Sequence, residues 1–248
     1  RCGLPVNATA EALQLQAMYR ERLEETLPRV RERIESSALA AGRDPAEVTL
    51  VAVTKGHPIE ALGAARALGL RNLGENRVEE LEEKVAALGR GAVRWHMIGH
   101  VQGRKAARVA AVADLVHSVD SLKLAGRLSR TAEGAEARLQ VLAQVNTSGE
   151  GSKSGFEPAE AVDGILGMAD LPGLEVLGLM TMAPFVDDER VLAAAFRRLR
   201  ETAESARRQD ARIGGALSMG MTNDLEIAIR EGSTLVRIGT ALFGERVP

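Results

Sequence analysis

The residue with the most evident chemistry is Lys55, which follows the strand-forming run LVAVT and precedes Gly56 and Pro58. The chain has five lysines against 27 arginines, so a lysine here indicates a task that arginine does not serve. A lysine that loses its hydration at the end of a buried strand has a lowered pKa, and its neutral amine attacks carbonyl groups. Taken alone, Lys55 is equally compatible with a side chain that reaches the protein rim or pairs with a carboxylate.

A second group of residues suits a phosphate. The segment LSMGMTNDLEIAIREG reads as a strand end, a glycine-containing turn and a helix start, where main-chain N–H groups can bind an anion. The alternative is a plain capped helix, with Asn223 and Glu226 as a capping box. Further on, Gly239 permits close backbone approach and Thr240 offers a hydroxyl donor.

Three other polar positions are candidates for a pocket. Arg237 lies inside the apolar run VRIG and needs either a carboxylate or a ligand as its partner. Asn76 ends the run GEN, where capping of the next helix together with Glu79 is the alternative role. His96 and His100 would stand about 13 Å apart along a strand, too far for one metal ion unless the chain turns between them. We therefore predict a hydrogen-bonded pocket histidine at His96 and no metal site.

The elements that must position these residues alternate regularly. A helix spans about residues 10–41, and eight short apolar runs then alternate with amphipathic segments. Such alternation implies parallel strands joined by helices, and eight of them close a (β/α)8 barrel of about 250 residues. A doubly wound open sheet is the alternative, but its glycine fingerprint is replaced by Lys-Gly-His-Pro after the first strand. We predict a flexible segment at 1–9 and one barrel domain at 10–248.

Composition argues against several classes of protein. The formal net charge is -2 and aromatic residues make up 2%, which disfavours nucleic-acid binding. A single cysteine excludes an internal disulfide and fits a reducing compartment. No apolar run approaches the length that spans a bilayer, and the first residues lack a signal core. These features predict a cytoplasmic protein, which we expect to be a monomer.

At these motifs the sequence resembles the pyridoxal phosphate homeostasis protein family, single-domain relatives of the alanine racemase barrel. The resemblance runs from about Leu13 to Gly244 and rests on the order and spacing of VAVTK, GEN, WHMIGHVQGRK, VNTSGEGSKSG, GLMTM, LSMGMTND and VRIGTALFG. Two positions depart from it. The family often reads Lys-Thr-Lys-Pro at 55–58, and it often has Tyr where Arg77 stands here.

The resemblance implies a barrel that holds pyridoxal 5'-phosphate (PLP), with Lys55 as the Schiff-base lysine. Arg237 would face the pyridine nitrogen, and Asn76 would be the pocket asparagine. Lys153 matches a lysine linked in this family to cofactor exchange. The residues that match the family's phosphate site are Ser218, Met219, Gly220, Gly239 and Thr240.

Three functional hypotheses follow. The first is a non-catalytic carrier that buffers PLP and supplies it to apo-PLP enzymes. It is favoured because a cationic arginine beside the pyridine nitrogen weakens the ring as an electron sink, and because the one tyrosine, Tyr19, precedes the first strand. The second is a small racemase or Schiff-base lyase, and the third is a barrel that has lost its ligand.

Overall fold

The computed structural model describes residues 9–149 and 154–245. Eight parallel strands pair in chain order, and the eighth pairs with the first, so the sheet closes into a barrel. The strands are β1 (Thr49–Val53), β2 (Asn72–Glu75), β3 (Arg94–Met97), β4 (Leu115–Val119), β5 (Leu139–Gln144), β6 (Leu174–Met180), β7 (Ala216–Ser218) and β8 (Leu235–Ile238). The predicted (β/α)8 barrel is confirmed.

Helices precede, separate and follow these strands. They are α1 (Ala10–Ala40), α2 (Ile59–Ala67), α3 (Val78–Leu88), α4 (Ala106–Val112), α5 (Leu122–Gly134), α6 (Ala161–Ala169), α7 (Glu189–Gln209), α8 (Leu225–Arg230) and α9 (Thr240–Phe243). Short 3₁₀ turns at Pro45–Glu47 and Gly103–Lys105 precede β1 and α4. The predicted extra N-terminal helix is therefore present as α1.

α1 is long because its sequence supplies both its ends and its buried face. The Thr9 side chain accepts a hydrogen bond from Ala12 N, and Gly42 adopts a φ of 68° just past the C-terminus. Apolar residues recur every three or four positions and are buried: Tyr19, Leu23, Leu27, Val30, Ile34 and Ala38. On the outer side of the barrel, Arg22 donates to Phe243 O and Thr26 to Leu242 O, so α1 is fastened to α9.

Two apolar regions stabilise the barrel. The larger core lies between the strands and the helices and includes Trp95, Phe196 and Phe243, all fully buried. The smaller cluster, inside the barrel, contains Val51, Leu115, Leu142, Met180 and Leu235. At Gly178 in β6, φ is 149° and an added Cβ would lie 2.0 Å from Ala216 O, so only glycine fits between β6 and β7.

None of the helices within 9–149 and 154–245 is both long enough and apolar enough to cross a membrane. The boundary predicted between residues 9 and 10 coincides with the start of α1, but residues 1–8 lie outside the described part of the chain. The flexibility of that segment stays a prediction.

Candidate functional site

Lys55 lies in a tight turn directly after β1. His57 N donates to Thr54 O at 3.0 Å, and Gly56 between them has a φ of 70°. The register pairs Val53 with Gly74 on β2 and Ala52 with Ile238 on β8. Lys55 therefore lies at the carboxyl end of the barrel, level with Asn76 after β2 and flanked by the Gly239–Thr240 turn after β8. The Lys55 side chain is half-buried.

A chain of hydrogen bonds crosses the centre of the barrel beneath this turn. The Arg237 guanidinium donates to Ser218 Oγ at 2.6 Å and to Thr181 O at 3.0 Å. Ser218 Oγ is 2.8 Å from His117 Nδ1, and His117 Nε2 is 2.8 Å from His96 Nδ1. We call Arg237, Ser218, His117 and His96 the central chain.

The far end of the central chain sets its direction. His96 Nε2 is 3.1 Å from Asn72 Oδ1, an acceptor, so this nitrogen carries the proton and Nδ1 accepts. His117 must then donate through Nε2 and accept through Nδ1, which makes the Ser218 hydroxyl its donor. In this arrangement the Ser218 hydroxyl donates its hydrogen bond to His117. Donation to a phosphate instead would require the hydrogen bonds of the central chain to reverse direction or to break.

The central chain holds one charge. Burial, together with the charge of Arg94, lowers the pKa of His96 to about 3. Burial, His96 and the Arg237 charge all lower the pKa of His117, so both imidazoles are neutral at pH 7. Burial lowers the pKa of Arg237 to about 10, against the favourable charge of Asp224, and the guanidinium stays protonated. Among the described residues its hydrogen-bond partners are a hydroxyl and a carbonyl, rather than a carboxylate.

The turns after β7 and β8 differ in what they can offer to an anion. Met219 N donates to Leu235 O at 3.1 Å, so its N–H is already used within the sheet. Gly220 has a φ of 94°, and an added Cβ would come within 2.6 Å of Ala228 Cβ, so the turn requires glycine. Gly239 is half-buried and Thr240 is exposed.

The predicted capping boxes are wrong at both helices. The N-cap of α8 is Asp224, which accepts from Met221 N at 2.6 Å, while Glu226 pairs with Arg33 of α1 at 2.7 Å. The N-cap of α3 is Arg77, without a side-chain cap bond. The glutamates that the local pattern assigned to capping, Glu226 and Glu79, form ion pairs with Arg33 and Lys105 instead.

Outside the barrel wall, a second polar group lies against the Lys55 turn. Lys84 Nζ donates to Thr54 O at 2.7 Å and to Glu75 Oε1 at 2.6 Å, and Thr54 Oγ1 donates to the same Glu75 oxygen at 2.5 Å. Gly56 N donates to Glu80 Oε2 at 2.9 Å. We call Thr54, Glu75, Glu80 and Lys84 the flank cluster.

A cavity of about 300 Å³ adjoins Asn76 at the carboxyl ends of β2 and β3. Met97 and His100 line it from β3 and the loop after it, and Lys105 lines it from the 3₁₀ turn before α4. The Asn76 backbone packs tightly on this loop, since a Cβ at Gly99 would lie 2.2 Å from Asn76 O. The cavity gives Asn76 a concave surface, but its lining contains Asn76 and none of the other predicted site residues.

Comparison with known proteins identifies the family. A family model for the N-terminal domain of alanine racemase matches residues 26–247. A pyridoxal phosphate homeostasis protein from Pseudomonas aeruginosa is 45% identical over 223 residues, which are 90% of this chain and 95% of the relative. The chain belongs to the pyridoxal phosphate homeostasis protein family.

Other members and structures agree with this. The pyridoxal phosphate homeostasis protein of Escherichia coli K12 is 39% identical, with 89% of this chain and 95% of the relative covered. PipY of Synechococcus elongatus, solved with PLP bound, is similar at a TM-score of 0.76 and 35% identity, over 87% of this chain and 100% of that one. An alanine racemase of Clostridium difficile reaches 0.75 at 14% identity, covering 91% of this chain and 57% of that one, which shows a shared fold alone.

In this member of the family, the predicted site residues fall into two groups. Lys55, Asn76, Gly220, Gly239 and Thr240 lie in the turns at the carboxyl end, whereas His96, Ser218 and Arg237 lie in the central chain. Met219 contributes its side chain to the outer core. Lys153 lies outside the described residues. Their roles toward the cofactor stay predictions.

Sequence reasoning missed His117, Thr181 and the flank cluster. His117 had a signal that could have been used, since a histidine inside the apolar run LVHSV needs partners once it is buried. Lys84 also had one, because it lies three residues after Leu81 on the buried face of α3. Thr181 accepts a hydrogen bond from Arg237 through its main-chain carbonyl, a contact that no side-chain pattern reveals.

Proposed function

We propose that this protein binds PLP at the carboxyl end of its barrel through Lys55, and that it buffers and delivers the cofactor within the cell without turning over a substrate. The observation that carries this proposal is the buried Arg237 cation, whose described partners are a hydroxyl and a carbonyl. A buried cation without a carboxylate is stabilised when a ligand supplies an acceptor. The relatives support the choice of ligand.

The residues present fit the chemistry of this cofactor. When bound, PLP supplies an aldehyde that an amine can capture and a ring that can delocalise electrons. Lys55 is the amine at the mouth of the barrel, and Arg237 is a donor that fits a pyridine nitrogen. The turns at Gly220 and at Gly239–Thr240 bring main-chain groups and one hydroxyl toward an anionic ester. Asn76 and His96 would line and support the pocket.

The same residues explain why binding need not lead to catalysis. Arg237 keeps its own proton at neutral pH, so it does not protonate a ring nitrogen beside it. A racemase needs a second acid–base group opposite the lysine. Tyr19 does not serve, because its hydroxyl is bonded to His57 Nδ1 at 3.1 Å and its side chain is 2% exposed.

Labelling tests the covalent site. After incubation with PLP and borohydride reduction, mass spectrometry is expected to find the reduced pyridoxyl group on Lys55 and to find none in a Lys55→Ala variant. Lys123→Arg is a matched control, since it removes an exposed amine on α5 and leaves the Lys55 amine in place. A label on another side chain, or none, would refute the assignment.

Racemase activity is the second candidate, favoured by the match to the alanine racemase N-terminal domain. Incubation of the PLP-loaded protein with a panel of amino acids in deuterated water separates the two. A carrier leaves the α-hydrogen in place, whereas a racemase exchanges it. We further propose that the carrier is monomeric, that Lys153 assists exchange of the cofactor and that apo-PLP enzymes receive it.

A further inference from the structure

The flank cluster holds the backbone on both sides of Lys55. On the N-terminal side, Lys84 Nζ binds Thr54 O and Glu75 Oε1 binds the Thr54 hydroxyl. On the C-terminal side, Glu80 Oε2 accepts from Gly56 N at 2.9 Å. Glu75 and Lys84 are fully or nearly fully buried, at 0% and 4% exposure, so the bonds on the N-terminal side are shielded from water, whereas the Glu80–Gly56 bond is exposed. α3 and β2 thereby fix the turn from which the Lys55 side chain extends.

One buried oxygen of the flank cluster, Glu75 Oε2, lacks a hydrogen bond within the described residues, and the protonation of Glu75 can account for it. Glu75 Oε2 is buried and, in the described part of the chain, accepts no hydrogen bond. Burial raises the pKa of Glu75, although Lys84 and Thr54 oppose this. Burial also acts to raise the pKa of Glu80, but the Gly56 N–H, the Lys84 charge, a side-chain hydrogen bond with Glu75 and the charge of Arg77 lower it on balance. A protonated Glu75 that donates from Oε2 to the ionised Glu80 satisfies both carboxyl groups.

With Glu75 protonated, the charges of the flank cluster sum to zero. Glu80 carries a negative charge, Lys84 a positive charge and Glu75 none. Two ionised carboxylates at this site would leave a net negative charge beside a buried lysine, which is costly. Lys84 is 3.8 Å from Glu80 and 2.6 Å from Glu75, so it interacts with both.

We propose that Glu75, Glu80 and Lys84 are positioning residues for Lys55, that Glu75 acts as a neutral acid hydrogen-bonded to Glu80, and that together they hold the Lys55 turn ready to capture the aldehyde. The inference rests on the proposed function for the capture step. The structural part, a fixed Thr54–Gly56 backbone, stands on the contacts alone.

Conservative and apolar replacements distinguish this role from simple packing. Glu75→Gln keeps an acceptor for Thr54 and Lys84 and donates an amide proton to Glu80, as a neutral acid does. The double variant Glu75→Leu/Lys84→Met removes both buried polar groups together, which avoids an unpaired buried charge. Glu80→Ala removes the acceptor of Gly56 from a partly exposed position. Glu82→Gln, on the same helix and paired with Arg108, is the matched control.

Two measurements are made on each folded variant. Amide hydrogen exchange at Gly56 is followed without ligand, and the rate of PLP capture at Lys55 is followed by absorbance and reductive labelling. Glu75→Gln and Glu82→Gln are expected to stay within about twofold of the wild type in both. The double variant is expected to capture PLP about tenfold more slowly, because a misplaced nucleophile loses its orientation. Glu80→Ala is expected to accelerate Gly56 exchange by about tenfold.

The outcomes separate the inference from the proposed function. Capture by the double variant at the wild-type rate, or unchanged Gly56 exchange in Glu80→Ala, would overturn the positioning role and leave the proposed function intact. A large loss of capture in Glu75→Gln would overturn the neutral-acid assignment, because an ionised Glu75 cannot be replaced by an amide without loss. Absence of capture by the wild type would refute the proposed function as well, and Gly56 exchange would still report whether the turn is held.

Discussion

The central chain and the flank cluster are both buried and polar, yet they accommodate charge in opposite ways. In the central chain a single cation, Arg237, is held by neutral dipoles, and the two histidines are kept uncharged. In the flank cluster Lys84 lies within hydrogen-bonding or ion-pairing distance of two carboxyl groups. The difference is that the cation of the flank cluster has carboxyl groups in direct contact, whereas Arg237, among the described residues, has only the charge of Asp224, which does not contact it, and can still interact with a ligand.

The largest effect on stability is expected from removing the cation of the flank cluster. Lys84→Met leaves the buried Glu75 and the partly exposed Glu80 without their shared cation, and we expect a loss of about 3 kcal/mol in the free energy of unfolding. Urea denaturation at pH 7 measures it. Lys123→Met, at an exposed position on α5, is the control and is expected to change little. Equal stability of the two variants would mean that the flank cluster needs no counter-charge.

Acidification should act on the central chain. Burial lowers the pKa of His96 from 6.5 to about 3 on folding, so the unfolded state binds the extra proton first. Its contribution to stability is complete above pH 6.5 and is lost as the pH falls, at about 1.4 kcal/mol per pH unit. We expect His96→Gln to show a shallower decline between pH 6 and pH 4 in urea denaturation. Parallel curves for the two proteins would contradict a neutral buried His96.

Removing the Arg237 cation, whose hydrogen-bond partners among the described residues are neutral, should affect PLP binding more than stability. Arg237→Met relieves the cost of burying a charge, which offsets the lost bonds to Ser218 and Thr181. We expect the unfolding free energy of the ligand-free protein to change by less than about 1 kcal/mol, while PLP affinity falls at least about tenfold. Calorimetric melting and equilibrium dialysis measure the two. A variant with a clearly lower melting temperature and unchanged PLP affinity would show that Arg237 serves stability rather than binding.

The smallest expected effect is the change with pH in the stability contributed by Glu75 of the flank cluster. The pKa of Glu75 is raised on folding, so its contribution is complete below the unfolded value of 4.5 and is lost as the pH rises through the folded value. Glu75→Gln should therefore gain stability relative to the wild type as the pH rises from 4.5. Thermal melts across this range test it, and a gap that widens on acidification instead would exclude a protonated Glu75.

The sequence predicted the barrel because each strand is an apolar run of the right length beside a helix pattern, and it made Lys55 a candidate because a lysine at a strand end is unusual. It did not predict the flank cluster. Glu75 and Lys84 are nine residues apart, and only the packing of α3 on β2 joins them. The central chain joins residues up to 101 positions apart, which only barrel closure brings together. The capping boxes failed because distant arginines and lysines compete for the same glutamates.

The attachment of α1 has a consequence for how the chain is made. Arg22 and Thr26 find their acceptors 221 and 216 residues later, at Phe243 and Leu242. On the ribosome the first helix is therefore complete long before the segment it binds has been synthesised. α2 can cover part of the apolar stripe early, but the part that packs against α8 and α9 stays uncovered until the end of the chain has been made and the barrel can close.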